Sequence, residues 1–117
     1  MKENELKTAL AKAWCAETSA SPNAWMPENP ALGQCAVSAL VVQDHFGGDL
    51  LRSKVGGVSH YWNRLPDGRE IDWTLRQFKP RGPIFLDEDP QLRTREYVLS
   101  FPDTVKRYEL LKARMKA

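Results

Sequence analysis

Residues 34–46, QCAVSALVVQDHF, form the most apolar segment of the chain. Val37, Leu40 and their neighbours leave so little polar surface that the segment predicts a fully buried helix. Gly47 just beyond it is typical of a helix C-terminus, because glycine readily adopts the left-handed conformation found there. A buried helix needs a core around it, and a chain of 117 residues is long enough to form one as a single domain, residues 1–117.

Three segments that follow this helix predict the strands of an antiparallel sheet. A short strand is expected over residues 50–55, ahead of a Gly-Gly turn. Residues 58–65 alternate in a strand-like way and contain large β-forming side chains, and residues 69–74 return as their partner. Residues 66–68, Pro-Asp-Gly, predict the turn between them, because proline presets one dihedral angle and glycine accepts a positive one.

The rest of the chain predicts helices and loops around this sheet. Residues 4–16 have the spacing of an amphipathic helix, and residues 17–33, with three prolines, predict a long ordered loop. Residues 79–90 are loop-like, a short helix is expected near 91–99, and a second over about 103–116. The elements together predict an α+β fold in which helices pack on a small antiparallel sheet.

Three side chains suited to thiol chemistry follow one another along these elements: Cys35 at a helix start, His60 on one hairpin strand and Asp72 on the next. The helix dipole favours a thiolate, an imidazole can take the thiol proton, and a carboxylate can orient the imidazole. The free amides at the helix start, including that of Cys35, suit a developing oxyanion. A tight turn places His60 directly opposite Asp72, with Cβ atoms about 4.5–5.5 Å apart. Cys35 alone is more typical of a small core residue, but the three in register predict a Cys-His-Asp site.

Three motifs resemble those of transglutaminases. Residues 33–37, Gly-Gln-Cys-Ala-Val, are similar to the nucleophile motif, in which Gly-Gln-Cys opens the buried helix. Residues 60–63, His-Tyr-Trp-Asn, resemble the His-x-Trp-Asn strand, and residues 72–74, Asp-Trp-Thr, resemble the strand that follows it. The motifs occur in the family's order and cover roughly a third of the sequence. The chain as a whole also resembles the YunG-like family of small bacterial proteins.

The resemblance to transglutaminases implies a papain-like, transglutaminase-like core, with N-terminal helices packed on the sheet and a C-terminal helix. It implies that Cys35 is the nucleophile, His60 the general base and Asp72 the orienting carboxylate. It also implies acyl-group chemistry on an amide, through a thioester. The chain departs from the family pattern at Ala36, where transglutaminases have tryptophan, and it has no calcium loop.

Four more side chains are candidates for substrate binding: Gln34, Trp62, Asn63 and Trp25. Each has a structural interpretation beside the functional one. Gln34 equally suits capping of local backbone, Trp62 suits the core as well as a pocket wall, and Asn63 can satisfy a backbone group at a strand edge. Transglutaminases place an upstream indole over the oxyanion, and Trp14 and Trp25 are the tryptophans upstream of the motif.

These observations predict a thiol-dependent acyl-transfer enzyme, whether peptidase, amidase, deamidase or transglutaminase, whose partner is a peptide or small amide substrate. The alternative is a non-catalytic module that keeps the fold and binds a peptide or small molecule, with residues 17–33 as the recognition wall. A third hypothesis, a structural or partner-dependent subunit, predicts an exposed apolar stripe on a terminal helix.

Composition argues against several other classes of protein. The net charge, 17 − 15 = +2, is too small to indicate a nucleic-acid partner. No segment approaches the ~18 consecutive apolar residues of a membrane helix, and the N-terminus lacks an apolar signal core. The chain has no P-loop and no dinucleotide fingerprint, so we expect no cofactor.

The remaining cysteine and histidine have structural interpretations. Cys15 has no candidate partners for catalysis, and His45, just before the glycines, predicts a helix C-terminal cap. Two cysteines and two histidines lack metal-site spacing, so no metal is expected. We expect a cytoplasmic protein with Cys15 and Cys35 reduced, although the sequence leaves a disulfide between them open.

Overall fold

The computed structural model describes residues 1–81 and 83–116 of the chain. Its helices are α1 (Glu3–Ala13), α2 (Cys35–Phe46), α3 (Arg95–Val98) and α4 (Pro102–Lys116), with 3-10 helices at Ala16–Thr18 and Leu75–Arg81. Its strands are β1 (Asp49–Val55), β2 (Val58–Arg64), β3 (Glu70–Ile71) and β4 (Gln91–Arg93). Helices around a small antiparallel sheet confirm the predicted α+β class.

The helix α2 occupies the apolar segment as predicted. Its residues from Val37 to Val42 are all buried. Gln34 is the N-cap residue, and Gly47 ends the helix with a φ of +73°. The long apolar run therefore became a central helix because every face of it finds a packing partner.

The helix α1 is shorter than the sequence predicted. It ends at Ala13 rather than at residue 16, because Trp14 leaves the helical conformation with a ψ of 138°. The buried Trp14 indole donates a hydrogen bond of 2.9 Å to the Ser38 hydroxyl of α2. This bond ties the end of α1 to the helix that begins at Cys35.

The sheet has the strand order β3-β2-β1-β4, with each neighbouring pair antiparallel. The strands β1 and β2 pair along their whole length, from Asp49 opposite Arg64 to Val55 opposite Val58. These two strands confirm the predicted ones over 50–55 and 58–65.

The partner strand predicted over 69–74 is wrong in length and register. Its ladder holds two pairs, Asn63 with Ile71 and Arg64 with Glu70. Continued by one residue, this register sets Asp72 opposite Trp62, so His60 does not lie directly opposite Asp72. The chain leaves the sheet after Ile71 because the following residues form a turn and then the 3-10 helix Leu75–Arg81.

The short helix predicted near 91–99 is wrong in its first half. Residues Gln91–Arg93 form β4 on the open edge of β1, with Leu51 opposite Leu92. Thr94 then caps α3, its hydroxyl accepting a hydrogen bond of 3.1 Å from the Tyr97 N–H. An available sheet edge overrode the weak helical preference of this segment.

The hydrophobic core lies between α1, α2, α4 and one face of the sheet. Tyr108 and Leu111 of α4 are buried there, which confirms a helix close to the predicted 103–116. The predicted loop over 79–90 begins inside the second 3-10 helix, and its residue 82 lies outside the described residues. No helix in the described part of the chain is long and apolar enough to cross a membrane.

Candidate functional site

Cys35 is the first residue of α2, and its side chain is partly exposed. Its Sγ lies 3.8 Å from the Ser59 carbonyl oxygen on β2. The first bond of the helix ladder runs from Ser38 N–H to Gln34 O at 3.0 Å, so the amides of Cys35 and Ala36 precede the ladder. First-turn amides have no partner within the helix, which leaves them able to bind an anionic oxygen.

The chain reaches Cys35 through a conformation that requires glycine. Gly33 has a φ of +72°, and a Cβ atom there would lie 2.3 Å from the Ser19 hydroxyl and 2.8 Å from the Ala20 nitrogen. This close approach lets the Ala20 N–H donate a hydrogen bond of 2.9 Å to the Gly33 oxygen. The glycine of the Gly-Gln-Cys motif therefore fixes the entry into α2.

His60 of β2 has no exposed surface. Its ring stacks on Trp62 at a centroid distance of 5.6 Å and an interplanar angle of 21°. The ring of Phe78, from the second 3-10 helix, meets it edge-on at 5.2 Å. These two aromatic contacts hold the imidazole plane in one orientation.

The two nitrogens of His60 have different surroundings. Nε2 lies 2.5 Å from Asp72 Oδ2, and the Thr74 hydroxyl donates to the other oxygen of that carboxylate at 3.4 Å. Nδ1 is buried and forms no hydrogen bond with any described group of the chain. The predicted histidine–carboxylate contact is thus present, although it runs diagonally from β2 to a residue beyond the end of β3.

Cys35 and Asp72 act on the protonation of His60 from two sides. Burial of the ring lowers its pKa, but the hydrogen bond to Asp72 and the nearby charges of Cys35 and Asp72 outweigh burial and raise the pKa to about 9. The ring is therefore cationic at neutral pH. Because Nε2 is bonded to Asp72, Nδ1 is the nitrogen that remains available to exchange a proton with the thiol.

Gln34 and Asn63, two predicted substrate-binding residues, hold protein groups. The buried Gln34 amide donates to Cys15 O at 2.9 Å and accepts from the Thr18 hydroxyl at 2.8 Å. Asn63 donates to Ala39 O of α2 at 2.9 Å. Gln34 therefore braces the start of α2 against the preceding loop, and Asn63 joins β2 to α2. A contact of either with substrate stays a prediction.

The tryptophans predicted near the site lie in different places. Trp62 is buried, stacks on the His60 ring and donates to Glu70 at 2.7 Å, so it forms a wall beside the imidazole. Trp25 lies in the loop before α2, where its indole donates to Pro30 O at 3.0 Å. Trp14 lies against α2, where its indole bonds to Ser38, and the Arg76 guanidinium is 5.4 Å from its ring centroid.

Gln77 is a buried residue of the site region that the sequence did not suggest. Its side-chain oxygen accepts from Gly33 N–H at 3.1 Å, and its Nε2 donates to Thr74 O at 3.1 Å. Its backbone oxygen accepts from the Asn29 amide at 3.0 Å. Nothing in the sequence around Gln77 has a pattern that marks this role.

The other cysteine and histidine agree with structural roles. Cys15 and Cys35 are both free thiols, so the disulfide left open by the sequence is not formed. His45 Nδ1 lies 3.0 Å from the Val41 carbonyl oxygen at the end of α2. Among the described residues, no group of three or more acidic, cysteine or histidine side chains is arranged to hold a metal ion.

Comparison with known proteins places the chain among small bacterial proteins. The model of the YunG protein family matches residues 2–117. A relative described as "Uncharacterized protein YunG", from Bacillus subtilis (strain 168), is 34% identical over 93 residues, covering 80% of this chain and 76% of its own. No solved structure matches the chain.

Proposed function

We propose that this chain, which belongs to the YunG family, is a thiol-dependent acyl-transfer enzyme that acts on an amide or peptide carbonyl. The observation that supports the proposal is the state of His60. Its ring is fully buried, bonded to Asp72 through Nε2, unpartnered at Nδ1, and raised in pKa to about 9 in part by Cys35. An imidazolium held beside a thiol favours the thiolate, which is the nucleophilic form.

The reaction follows from the positions of these groups. The Cys35 thiolate attacks the carbonyl carbon and forms a C–S bond, while amides at the start of α2 bind the developing oxyanion. His60 then gives its Nδ1 proton to the departing amine as the C–N bond breaks, which leaves a thioester and a neutral imidazole. Water or a second amine gives a proton to Nδ1, attacks the thioester and releases the thiolate. Asp72 keeps the ring oriented throughout.

The architecture proposed with this function is the transglutaminase-like, papain-like core. Its support is the order of the three motifs, which lie at a helix start, on β2 and just after β3. The departure at Ala36 removes the tryptophan that follows the nucleophile in transglutaminases. Because the chemistry needs a reduced thiol, we also propose a cytoplasmic location.

The test is the pH dependence of Cys35 alkylation by iodoacetamide. With Cys15→Ser as background, we expect rapid alkylation to persist well below pH ~8.5, the pKa of a free cysteine. In His60→Ala the low-pH reaction should be lost, because no cation remains beside the thiol. Asp72→Asn should weaken it to an intermediate degree, since it keeps the ring and removes the carboxylate charge.

The alternative function is a binding module that retains the fold without catalysis. It is favoured by the half-exposed aromatic rings of Tyr97 and Phe101 near the thiol, since exposed aromatic patches often bind partners. If alkylation of Cys35 is slow and its rate is the same in the wild type and in His60→Ala, the enzyme proposal is rejected and the binding module is supported. Circular dichroism of each variant shows whether a slow reaction reflects altered chemistry or lost folding.

A further inference from the structure

A depression of about 240 Å³ opens beside Cys35, on the side of the α3–α4 connection. Its lining includes Cys35 and Tyr61 from the site region and Tyr97, Val98 and Phe101 from the C-terminal segment. Pockets for drug-sized ligands have volumes of about 300–1,000 Å³, so this depression suits a single side chain. Because the thiol lies in its wall, a group bound there is next to the nucleophile.

The outer wall of the depression is aromatic, and its two rings are held in contact with each other without a ligand. Tyr97 is 45% exposed and Phe101 49%, and their rings meet edge-on at a centroid distance of 5.6 Å. The Arg93 guanidinium lies 5.6 Å from the Tyr97 ring centroid. Two large rings left half exposed yet held in a fixed pair form a preorganised apolar surface.

The polar part of the lining is cationic. Arg52 donates to the Ser59 hydroxyl at 2.8 Å and to the Glu88 carboxylate at 3.3 Å, and Arg107 is held by Asp103 and by Thr18 O. No carboxylate lines the depression among the described residues. A basic side chain entering it would meet two guanidinium groups, and an apolar one would meet the rings.

Tyr61 lines the depression, and its hydroxyl forms no hydrogen bond with the described part of the chain. Burial of the ring, together with the nearness of Tyr97 and Cys35, raises the pKa of Tyr61. The hydroxyl thus stays protonated at neutral pH. A protonated hydroxyl without a partner beside the nucleophile can donate to a substrate carbonyl.

We infer that this depression binds the side chain of the acyl group, and that the acyl group is an aminoacyl or peptidyl unit with an aromatic side chain. The inference rests on the proposed function and specifies its substrate class. The substrate side chain packs on Tyr97 and Phe101, its carbonyl carbon lies at Cys35, and a neighbouring backbone carbonyl accepts from Tyr61. Basic side chains are excluded by Arg52 and Arg107.

The first experiment uses p-nitrophenyl esters of N-acetylphenylalanine and N-acetyllysine, with p-nitrophenyl acetate as the small reference. In each, the Cys35 thiolate displaces p-nitrophenolate and forms a thioester, so product colour and the mass of the protein report the same step. We expect the phenylalanyl ester to acylate Cys35 at least about tenfold faster than the lysyl ester, the size of a typical pocket contribution.

The matched variants are Phe101→Ala and Phe85→Ala. Both remove one exposed phenyl ring, but Phe85, 76% exposed, does not line the depression. We expect Phe101→Ala to lower the ratio of the phenylalanyl rate to the acetate rate about tenfold, and Phe85→Ala to leave both rates unchanged. If Phe101→Ala leaves the preference intact while acetate still reacts, the pocket assignment is wrong and the proposed function stands.

A second experiment separates binding from catalysis. In Cys35→Ser, titration with N-acetylphenylalaninamide should shift the NMR resonances of Tyr97 and Phe101 saturably, and N-acetyllysinamide should not. If acetate fails to acylate the wild type but these shifts occur, the proposed enzyme fails and the aromatic pocket survives as a binding site. No saturable shift at either ring overturns the inference.

Discussion

The side-chain oxygen of Gln77 accepts a hydrogen bond of 3.1 Å from the backbone N–H of Gly33, two residues before Cys35. The amide nitrogen of the same side chain donates at 3.1 Å to the oxygen of Thr74, two residues after Asp72. One buried amide therefore joins the backbone that leads into the nucleophile to the backbone that follows the carboxylate.

Replacing Gln77 with alanine should loosen both ends of the site. Thr74 O keeps the bond it accepts from the Gln77 N–H, but Gly33 N–H loses its acceptor. We expect the free energy of unfolding, measured in urea, to fall by about 1–3 kcal/mol. Cys35 alkylation at pH 6.5 should slow as well, because the turn into α2 is less constrained.

The control for Gln77→Ala is Gln91→Ala, on the exposed edge strand β4. Surface substitutions of this kind change stability by no more than about 0.5 kcal/mol. Equal losses from the two variants would contradict the bridging role of Gln77.

A pair of glycine substitutions separates backbone strain from steric overlap at the site. Gly33 and Gly68 both have positive φ angles, +72° and +91°, but a Cβ atom at Gly68 would meet nothing within 4 Å. Gly68→Ala should cost about 1–2 kcal/mol, the penalty for a left-handed alanine. Gly33→Ala should cost a further ~1–3 kcal/mol, because its Cβ overlaps Ser19 and Ala20. Thermal or urea unfolding of both variants measures the difference, and indistinguishable losses would rule out the overlap.

The stability of the protein should depend on pH through His60. Its pKa rises from 6.5 to about 9 on folding, so the protonated ring stabilises the folded state. That contribution is complete below pH 6.5 and is lost as pH rises through about 9. Urea unfolding between pH 6 and pH 10, compared with Asp72→Asn, checks this. The variant should lose less stability over this window, because one cause of the raised pKa is gone.

The hydroxyl of Tyr108 should contribute more to stability than that of Tyr97. Tyr108 accepts a hydrogen bond of 2.6 Å from Arg95 and donates to Asp44, and it is buried. Tyr97 is half exposed, and its hydroxyl forms no hydrogen bond with the side chains or backbone groups that the structure describes. We expect Tyr108→Phe to lower the free energy of unfolding by about 1–2 kcal/mol and Tyr97→Phe by less than about 0.5. Similar losses in both would show that the Arg95–Tyr108–Asp44 contacts add little.

Local patterns predicted the elements that position Cys35 and His60. The apolar run from Val37 to Val42 and the glycines at 47 and 48 were sufficient to place α2. Strand alternation and the Gly-Gly turn placed β1 and β2. The contact between His60 and Asp72 was also expected, but from direct pairing across the hairpin, whereas the structure makes it diagonally.

Other features depend on tertiary contacts that no local pattern records. The end of β3 at Ile71 is set by the turn that leads to Gln77 and Phe78. Residues 91–93, which were predicted to be helical, form the strand β4 because the edge of β1 is free to pair with them. The side chain of Gln77 bonds to Gly33, 44 residues away in the chain, and to Thr74, 3 residues away. The bond to Gly33 spans too many residues for a local sequence pattern to predict it.

The complete burial of the His60 ring restricts how it exchanges protons with water. Trp62 and Phe78 pack against the ring, and two partly exposed groups, Asp72 and Cys35, lie close enough to influence its protonation. We therefore expect the Cys35 thiol to be one route by which the imidazole proton exchanges with water. Alkylation of Cys35 by iodoacetamide should block that route without removing the Nδ1 proton, so that this proton persists long enough to be observed by NMR.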